Sequence, residues 1–123
     1  MNTILLVDDH PDFLDNLSLT LESAGYHTLT ATDGLGALDV LNEHPVDLIV
    51  SDVGMPQLSG YQLCQRVRQN MRWANIPFVV LTGSAGAVEE EPSVIQQLRI
   101  EHFLIKPIRA AALLRVIEHT LTI

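Results

Sequence analysis

Three aspartates, a threonine and the only lysine of the chain each stand at the carboxyl side of a short apolar run. Asp8 and Asp9 follow Ile4-Leu5-Leu6-Val7, and Asp52 follows Leu48-Ile49-Val50 after one serine. Thr82 follows Phe78-Val79-Val80-Leu81, and Lys106 follows Phe103-Leu104-Ile105. Carboxylates brought close together repel, titrate as a coupled set and are natural partners of a divalent cation. An all-oxygen site that keeps some water suits Mg²⁺, or Mn²⁺ in its place. A carboxylate is also a nucleophile toward phosphorus, giving an aspartyl phosphate. Phosphoryl transfer needs in-line positioning and neutralised equatorial oxygens. A cation, the Lys106 ammonium and the Thr82 hydroxyl together supply what that step demands.

The elements that must position these residues follow from hydrophobic period. The four apolar runs read as strands buried on both faces, as in parallel sheets, and Thr28-Leu29-Thr30 reads as a more polar edge strand. Helical spacing connects them through Leu14, Leu17 and Leu21, then Ala37, Leu38 and Leu41, then Leu63, Cys64, Val67 and Met71. Val94, Ile95 and Leu98 mark a short fourth helix, and Leu114, Ile117 and Leu121 a fifth. Pro11 fits the first turn of the first helix and Gly25 its left-handed end. Pro92 belongs in the first turn of the fourth helix, since an interior proline costs about 3 kcal/mol. Five β-α units in succession predict an α/β fold with a five-stranded, doubly wound parallel sheet. With strand order 2-1-3-4-5, ligands sit outside the carboxyl ends of the strands where the order reverses, between strands one and three. That is where Asp8, Asp9 and Asp52 meet, flanked by Thr82 and Lys106.

The chain of 123 residues is read as one domain, residues 1–123, with a formal charge of −8. Six arginines are scattered, so no basic patch exists for nucleic acid. No apolar run is long enough for a bilayer, and Met1 lacks a secretory flank, which predicts a cytoplasmic protein without a membrane partner. One cysteine, Cys64, fits a reducing compartment, and the five histidines show no zinc spacing. The sequence stops at Ile123, so any output domain is expected to be missing or cut away.

Each residue also has a plainer reading. Asp8-Asp9 before Pro11 suits a helix cap, Asp52 before Gly54-Met55-Pro56 a turn, Thr82-Gly83 a loop, and Lys106 a surface position. Independent caps and turns have no reason to converge on one sheet end, and that convergence favours a site.

In four places the sequence closely resembles the receiver domains of bacterial two-component response regulators. They are Leu6-Val7-Asp8-Asp9-His10-Pro11, Ser51-Asp52-Val53-Gly54-Met55-Pro56, Leu81-Thr82-Gly83 and Lys106-Pro107, and the similarity runs from about Thr3 to Thr120. The resemblance implies a flavodoxin-like, chemotaxis-regulator-like fold. It implies that Asp52 is the phosphoacceptor and Asp9 a direct metal ligand, with Asp8 acting largely through metal-bound water and the Gly54 carbonyl completing the set. It places the amides of Val53, Gly54 and Gly83 against the phosphoryl oxygens, makes the Lys106–Pro107 bond cis, and gives Thr82 and Phe103 the role of a switch. Phe103 is otherwise simply a core aromatic. The implied donor is a sensor histidine kinase or phosphotransfer protein. The implied receivers of the signal are an output domain, a downstream protein, or a second copy bound through the face of the fourth helix, fifth strand and fifth helix.

Three features depart from the family pattern. The segment from Thr82 to Lys106 is about two residues longer than usual in the resembled family, and Pro92 interrupts it. Arg99-Ile100-Glu101-His102 replaces a small-residue turn, and Gly54 leaves no side chain near an attacking water. A phosphatase of the haloacid-dehalogenase kind would need an aspartate where Gly54 stands. A flavodoxin would need a hydroxyl-rich phosphate loop where Asp8-Asp9-His10-Pro11 stands. The remaining alternative is a phosphorylation-independent interaction module on the same scaffold. Gly83 and Gly86, and the solvated run Glu89-Glu90-Glu91, predict a loosely held segment beside the site.

Overall fold

The computed structural model describes residues 1–83 and 92–122. Gly86 and the run Glu89-Glu90-Glu91 lie outside the described residues, as does the side chain of Val94. The chain alternates β1 (Thr3–Val7), α1 (Pro11–Ser23), β2 (His27–Ala31), α2 (Gly34–Glu43) and β3 (Leu48–Asp52). It continues with α3 (Gly60–Gln69), β4 (Phe78–Thr82), α4 (Pro92–Leu98), β5 (His102–Ile105) and α5 (Ala110–Thr122). The five strands pair in parallel in the order β2-β1-β3-β4-β5, as expected.

Strand side chains alternate between two apolar layers, which is why the central runs carry no polar residue to mark a face. Leu5, Val7, Ile49, Phe78 and Val80 pack with Ala37, Leu41, Leu63, Cys64 and Val67 of α2 and α3. Ile4, Leu6, Leu48, Val50, Val79 and Leu81 pack with Leu14, Leu17 and Leu21 of α1 and Leu113 and Ile117 of α5. Local chemistry sets the helix ends. Pro11 opens α1, Asp33 accepts the Gly36 N–H at 2.7 Å, and Ser59 and Gln62 form a reciprocal capping box on α3. Gly25 adopts φ 97° just after α1, a conformation that costs glycine nothing.

Two sequence expectations are corrected. Met71 is neither helical nor core: α3 ends at Gln69, and Met71 is 96% exposed. Asn70 ends the helix in an extended conformation and its Oδ1 accepts the Arg72 N–H at 2.9 Å, turning the chain so that Trp73 enters the core instead. β5 is not buried on both faces. It is an edge strand whose burial alternates, with Phe103 and Ile105 exposed and Leu104 packed against the α1/α5 layer.

Candidate functional site

The carboxyl ends of β1 and β3 lie side by side, with Val7 in register with Ser51, so Asp8 and Asp52 emerge next to each other. Asp8 is buried, and its backbone N–H donates to Ala31 O of the neighbouring strand at 3.1 Å. One carboxylate oxygen, Oδ1, accepts the His10 backbone N–H at 3.0 Å and lies 2.9 Å from His10 Nδ1. The other, Oδ2, accepts from Lys106 Nζ at 2.6 Å. Helix capping does not account for this pair: the N-cap of α1 is His10, with no side-chain cap hydrogen bond.

Asp52 closes β3 and is buried, its Oδ1 accepting the Val53 N–H at 2.9 Å and lying 3.6 Å from Lys106 Nζ. The Val53 N–H also reaches Leu81 O at 3.1 Å. Behind Asp52, the Gly60 N–H donates to Val53 O at 3.0 Å, so α3 starts against the back of the site. A Cβ at Gly60 would collide with the Asp52 carbonyl, and this close approach requires glycine. At Gly54 and Gly83 an added Cβ would meet nothing within 4 Å, so both face open space.

Lys106 reaches the pocket from the end of β5, where its N–H donates to Thr82 O at 2.7 Å and its peptide bond to Pro107 is cis. Its ammonium stands 4.5 Å from the centre of the Phe13 ring, a cation–π contact that helps to aim it. Thr82 is buried at the end of β4, level with Ile105. Phe103 stands apart from the carboxylates, 42% exposed and with its ring 6.5 Å from that of Tyr61.

Charge is crowded here. The Asp52 pKa is raised, first by burial and also by Asp8 and Asp9, against the opposing pull of Lys106 and the Val53 N–H. His10 is raised as well, first by its hydrogen bond to Asp8 and then by the charges of Asp9 and Asp8. Asp9 Oδ1 is buried without a hydrogen-bond partner, although His10 Nδ1 is 3.1 Å away. Ligand atoms of Asp8, Asp9, His10 and Asp52 all fall within 4.8 Å of one another. An orphaned carboxylate oxygen among three carboxylates fits a hard divalent cation.

The structure thus brings Asp8, Asp9, Asp52 and Lys106 together, sets Thr82 beside Lys106 along the backbone, and leaves Phe103 outside. Sequence reasoning missed His10, Phe13 and Gly60. Phe13 carries no motif signal. His10 was visible only as the neighbour of two aspartates, and Gly60 only as a small residue opening a helix.

A parallel sheet with an acidic pocket and one lysine at its switch point is the architecture of the solved structures of signalling receivers. The chain belongs to the response regulator receiver domain family, which it matches over residues 4–118. It is 39% identical over 120 residues to the sensor histidine kinase RcsC of Escherichia coli K12, covering 98% of this chain but 12% of that kinase. The chemotaxis response regulator CheY4 of Vibrio cholerae superposes with a TM-score of 0.86 at 30% identity, over 97% of this chain and 98% of that one. The receiver domain of the sensor histidine kinase PA1611 of Pseudomonas aeruginosa superposes with a TM-score of 0.84 at 26% identity, over 99% and 98% of the two chains. That domain has a magnesium ion coordinated in its active site cleft. The family is that of two-component receivers, and no helix among the described residues is long and apolar enough to cross a membrane.

Proposed function

We propose that residues 1–123 form one receiver domain that takes a phosphoryl group onto Asp52 from a sensor histidine kinase or phosphotransfer protein. The observation that carries this reading is the single lysine reaching across the pocket, 2.6 Å from Asp8 and 3.6 Å from Asp52. An Asp52 carboxylate oxygen attacks phosphorus, the new O–P bond forms as the P–N bond of the donor phosphohistidine breaks, and the imidazole leaves. Lys106 then exchanges its carboxylate partners for phosphoryl oxygens, and the Thr82 hydroxyl donates to another. The amides of Val53, Gly54 and Gly83 are the further donors that this reading assigns to the phosphoryl oxygens. Asp8, Asp9, Asp52 and the Gly54 carbonyl hold Mg²⁺ or Mn²⁺. When bound, that ion neutralises the carboxylates and the transferring group.

The signal leaves through α4, β5 and α5. Thr82 moves toward the phosphoryl group and Phe103, exposed beforehand, turns inward, so that an output domain, a downstream protein or a second copy selects the altered face. A charge of −8 favours protein partners over nucleic acid or membrane, and the setting is cytoplasmic. Incubation with Mg²⁺ and acetyl phosphate is expected to add one phosphoryl group at Asp52 by mass spectrometry. Asp52→Ala and an EDTA-treated sample are expected to show none. Undiminished labelling of Asp52→Ala would overturn Asp52 as the phosphoacceptor, and undiminished labelling in EDTA would overturn the need for a cation. An unlabelled wild type would leave the phosphorylation-independent interaction module as the better account.

A further inference from the structure

We propose that His10 is a nitrogen ligand of the cation held by the acidic pocket, so that the site takes a first-row transition ion such as Mn²⁺ or Co²⁺ well ahead of Mg²⁺. The inference rests on the proposed cation site and adds to it a residue that sets which metal enters. Its distances, those of a hydrogen bond to Asp8 and an ion pair with Asp9, also match a coordination edge. An ion about 2.1 Å from each of two adjacent octahedral ligands holds them about 3.0 Å apart. His10 Nδ1 stands 3.1 Å from Asp9 Oδ1 and 2.9 Å from Asp8 Oδ1. The Asp9 oxygen is the buried atom that has no hydrogen-bond partner. For the ion to enter, Nδ1 gives up its proton and its hydrogen bond to Asp8, and the freed nitrogen lone pair and the unpartnered Asp9 oxygen then face the same ion. The Asp8, Asp9, His10 and Asp52 ligand atoms, within 4.8 Å of one another, then span one metal.

Local structure keeps the ring there. His10 is the N-cap of α1 with extended backbone, and its N–H is fixed to Asp8 Oδ1 at 3.0 Å. Pro11 follows at the first helical position, where its ring restricts the backbone on both sides. The imidazole is otherwise largely exposed, so a hydrated ion reaches it without opening the core. Binding releases the Nδ1 proton to water and leaves Lys106 on Asp8 Oδ2 undisturbed. One imidazole among carboxylates moves a site along the order Mg²⁺, Mn²⁺, Co²⁺, because nitrogen donors favour the transition ions and Mg²⁺ holds its waters.

Calorimetric titration of the wild type and His10→Ala with Mg²⁺ and with Co²⁺, in a buffer that does not bind metal, tests the proposal. The variant is expected to lose Co²⁺ affinity about tenfold or more and Mg²⁺ affinity far less, collapsing the selectivity ratio. Pulsed EPR of the Mn²⁺-loaded wild type is expected to show modulation from a directly bound ¹⁴N that His10→Ala lacks. Binding of both ions with an unchanged selectivity ratio in His10→Ala and no nitrogen modulation would overturn the role of His10 while leaving the cation site intact. Failure of the wild type to bind either ion would overturn the site itself. His10→Gln, which keeps an acceptor but no imidazole, is expected to behave as His10→Ala in both measurements.

Discussion

The two ends of the sheet treat charge in opposite ways. At the carboxyl end, one ammonium serves two of three crowded aspartates, Asp8 and Asp52, the Asp9 Oδ1 has no hydrogen-bond partner, and burial pushes the Asp52 carboxyl up. At the amino end of β4 and β5, the Arg68 guanidinium is 8% exposed yet fully occupied. It donates to Leu98 O at 2.7 Å, Ile76 O at 2.6 Å, Ala74 O at 3.1 Å and Arg99 O at 3.0 Å, and faces Glu101 at 3.7 Å. Glu101 in turn accepts the Phe78 N–H at 3.0 Å, and Arg99, at φ 54°, reaches Ala74 O at 2.8 Å. Satisfied polar networks hold a structure together, whereas under-satisfied ones wait for a ligand. One end is therefore built for stability and the other for chemistry.

If that contrast is right, the largest single loss of stability comes from the amino end. Arg68→Ala strands several carbonyls and a carboxylate together, and is expected to cost about 3 kcal/mol or more, a fall in Tm of roughly 10 °C. Arg68→Lys is expected to recover part of this, since one ammonium cannot match a planar fork with four carbonyls. Equal thermal melts for wild type and Arg68→Ala would erase the distinction between the two ends.

Cys64 sharpens the contrast, because its Sγ lies 3.5 Å from the same Leu98 carbonyl. Burial pushes its thiol up to about 11 from 9.0, with the nearby Arg68 pulling weakly the other way. The unfolded chain then gives up that proton first as pH rises. The folded protein therefore keeps this stability below about pH 9 and loses it progressively through about 11, some 2–3 kcal/mol in all. Denaturant melts of wild type and Cys64→Ala compared from pH 8 to 11 isolate that slope. Parallel pH profiles would mean the thiolate finds compensation at the amino end.

The sequence pattern carried most of the carboxyl end, because each site residue terminates an apolar run whose strand type and parallel setting were readable. Register brings the ends of β1, β3, β4 and β5 level, and with them Asp8, Asp52, Thr82 and Lys106, while the Phe13 ring helps to aim the lysine. The amino end was nearly invisible. Arg68 donates to carbonyls, which every residue has, and no motif announces them. Arg99-Ile100-Glu101-His102 registered only as an odd turn, although Arg99 adopts positive φ and its side chain donates to Ala74 O. Met71 was misassigned because a helical period does not show where a helix stops, and the helix ends at Gln69, with Asn70 as its cap, just short of Met71. His10 escaped because its partners are local, Asp8 and Asp9, and its exposure gives no apolar signal.

The smallest expected effect lies at the carboxyl end and changes sign with metal. Burial, Asp8 and Asp9 disfavour the charged form of Asp52, so its folded pKa stands above that of the unfolded chain. That raised carboxyl contributes stability that is complete below the unfolded value near 4 and is lost as pH rises through the folded value. Asp52→Asn removes the charge while keeping the shape and an oxygen to accept the Val53 N–H. In EDTA at pH 7 it is expected to be more stable than wild type by about 1 kcal/mol, the ordinary scale of a single substitution. Lys106 limits the gain, since its 3.6 Å approach to Asp52 is lost, but its shorter bond to Asp8 survives. Lowering the pH toward 4 is expected to shrink the difference. Saturating Mg²⁺ is expected to reverse it, because the wild type alone keeps all three carboxylates for the ion and gains stability with its occupancy. Thermal melts of both proteins in EDTA and in Mg²⁺ decide this. Were Asp52→Asn less stable in EDTA, the pair with Lys106 would outweigh burial and repulsion, and the carboxyl end would be as well satisfied as the Arg68 end.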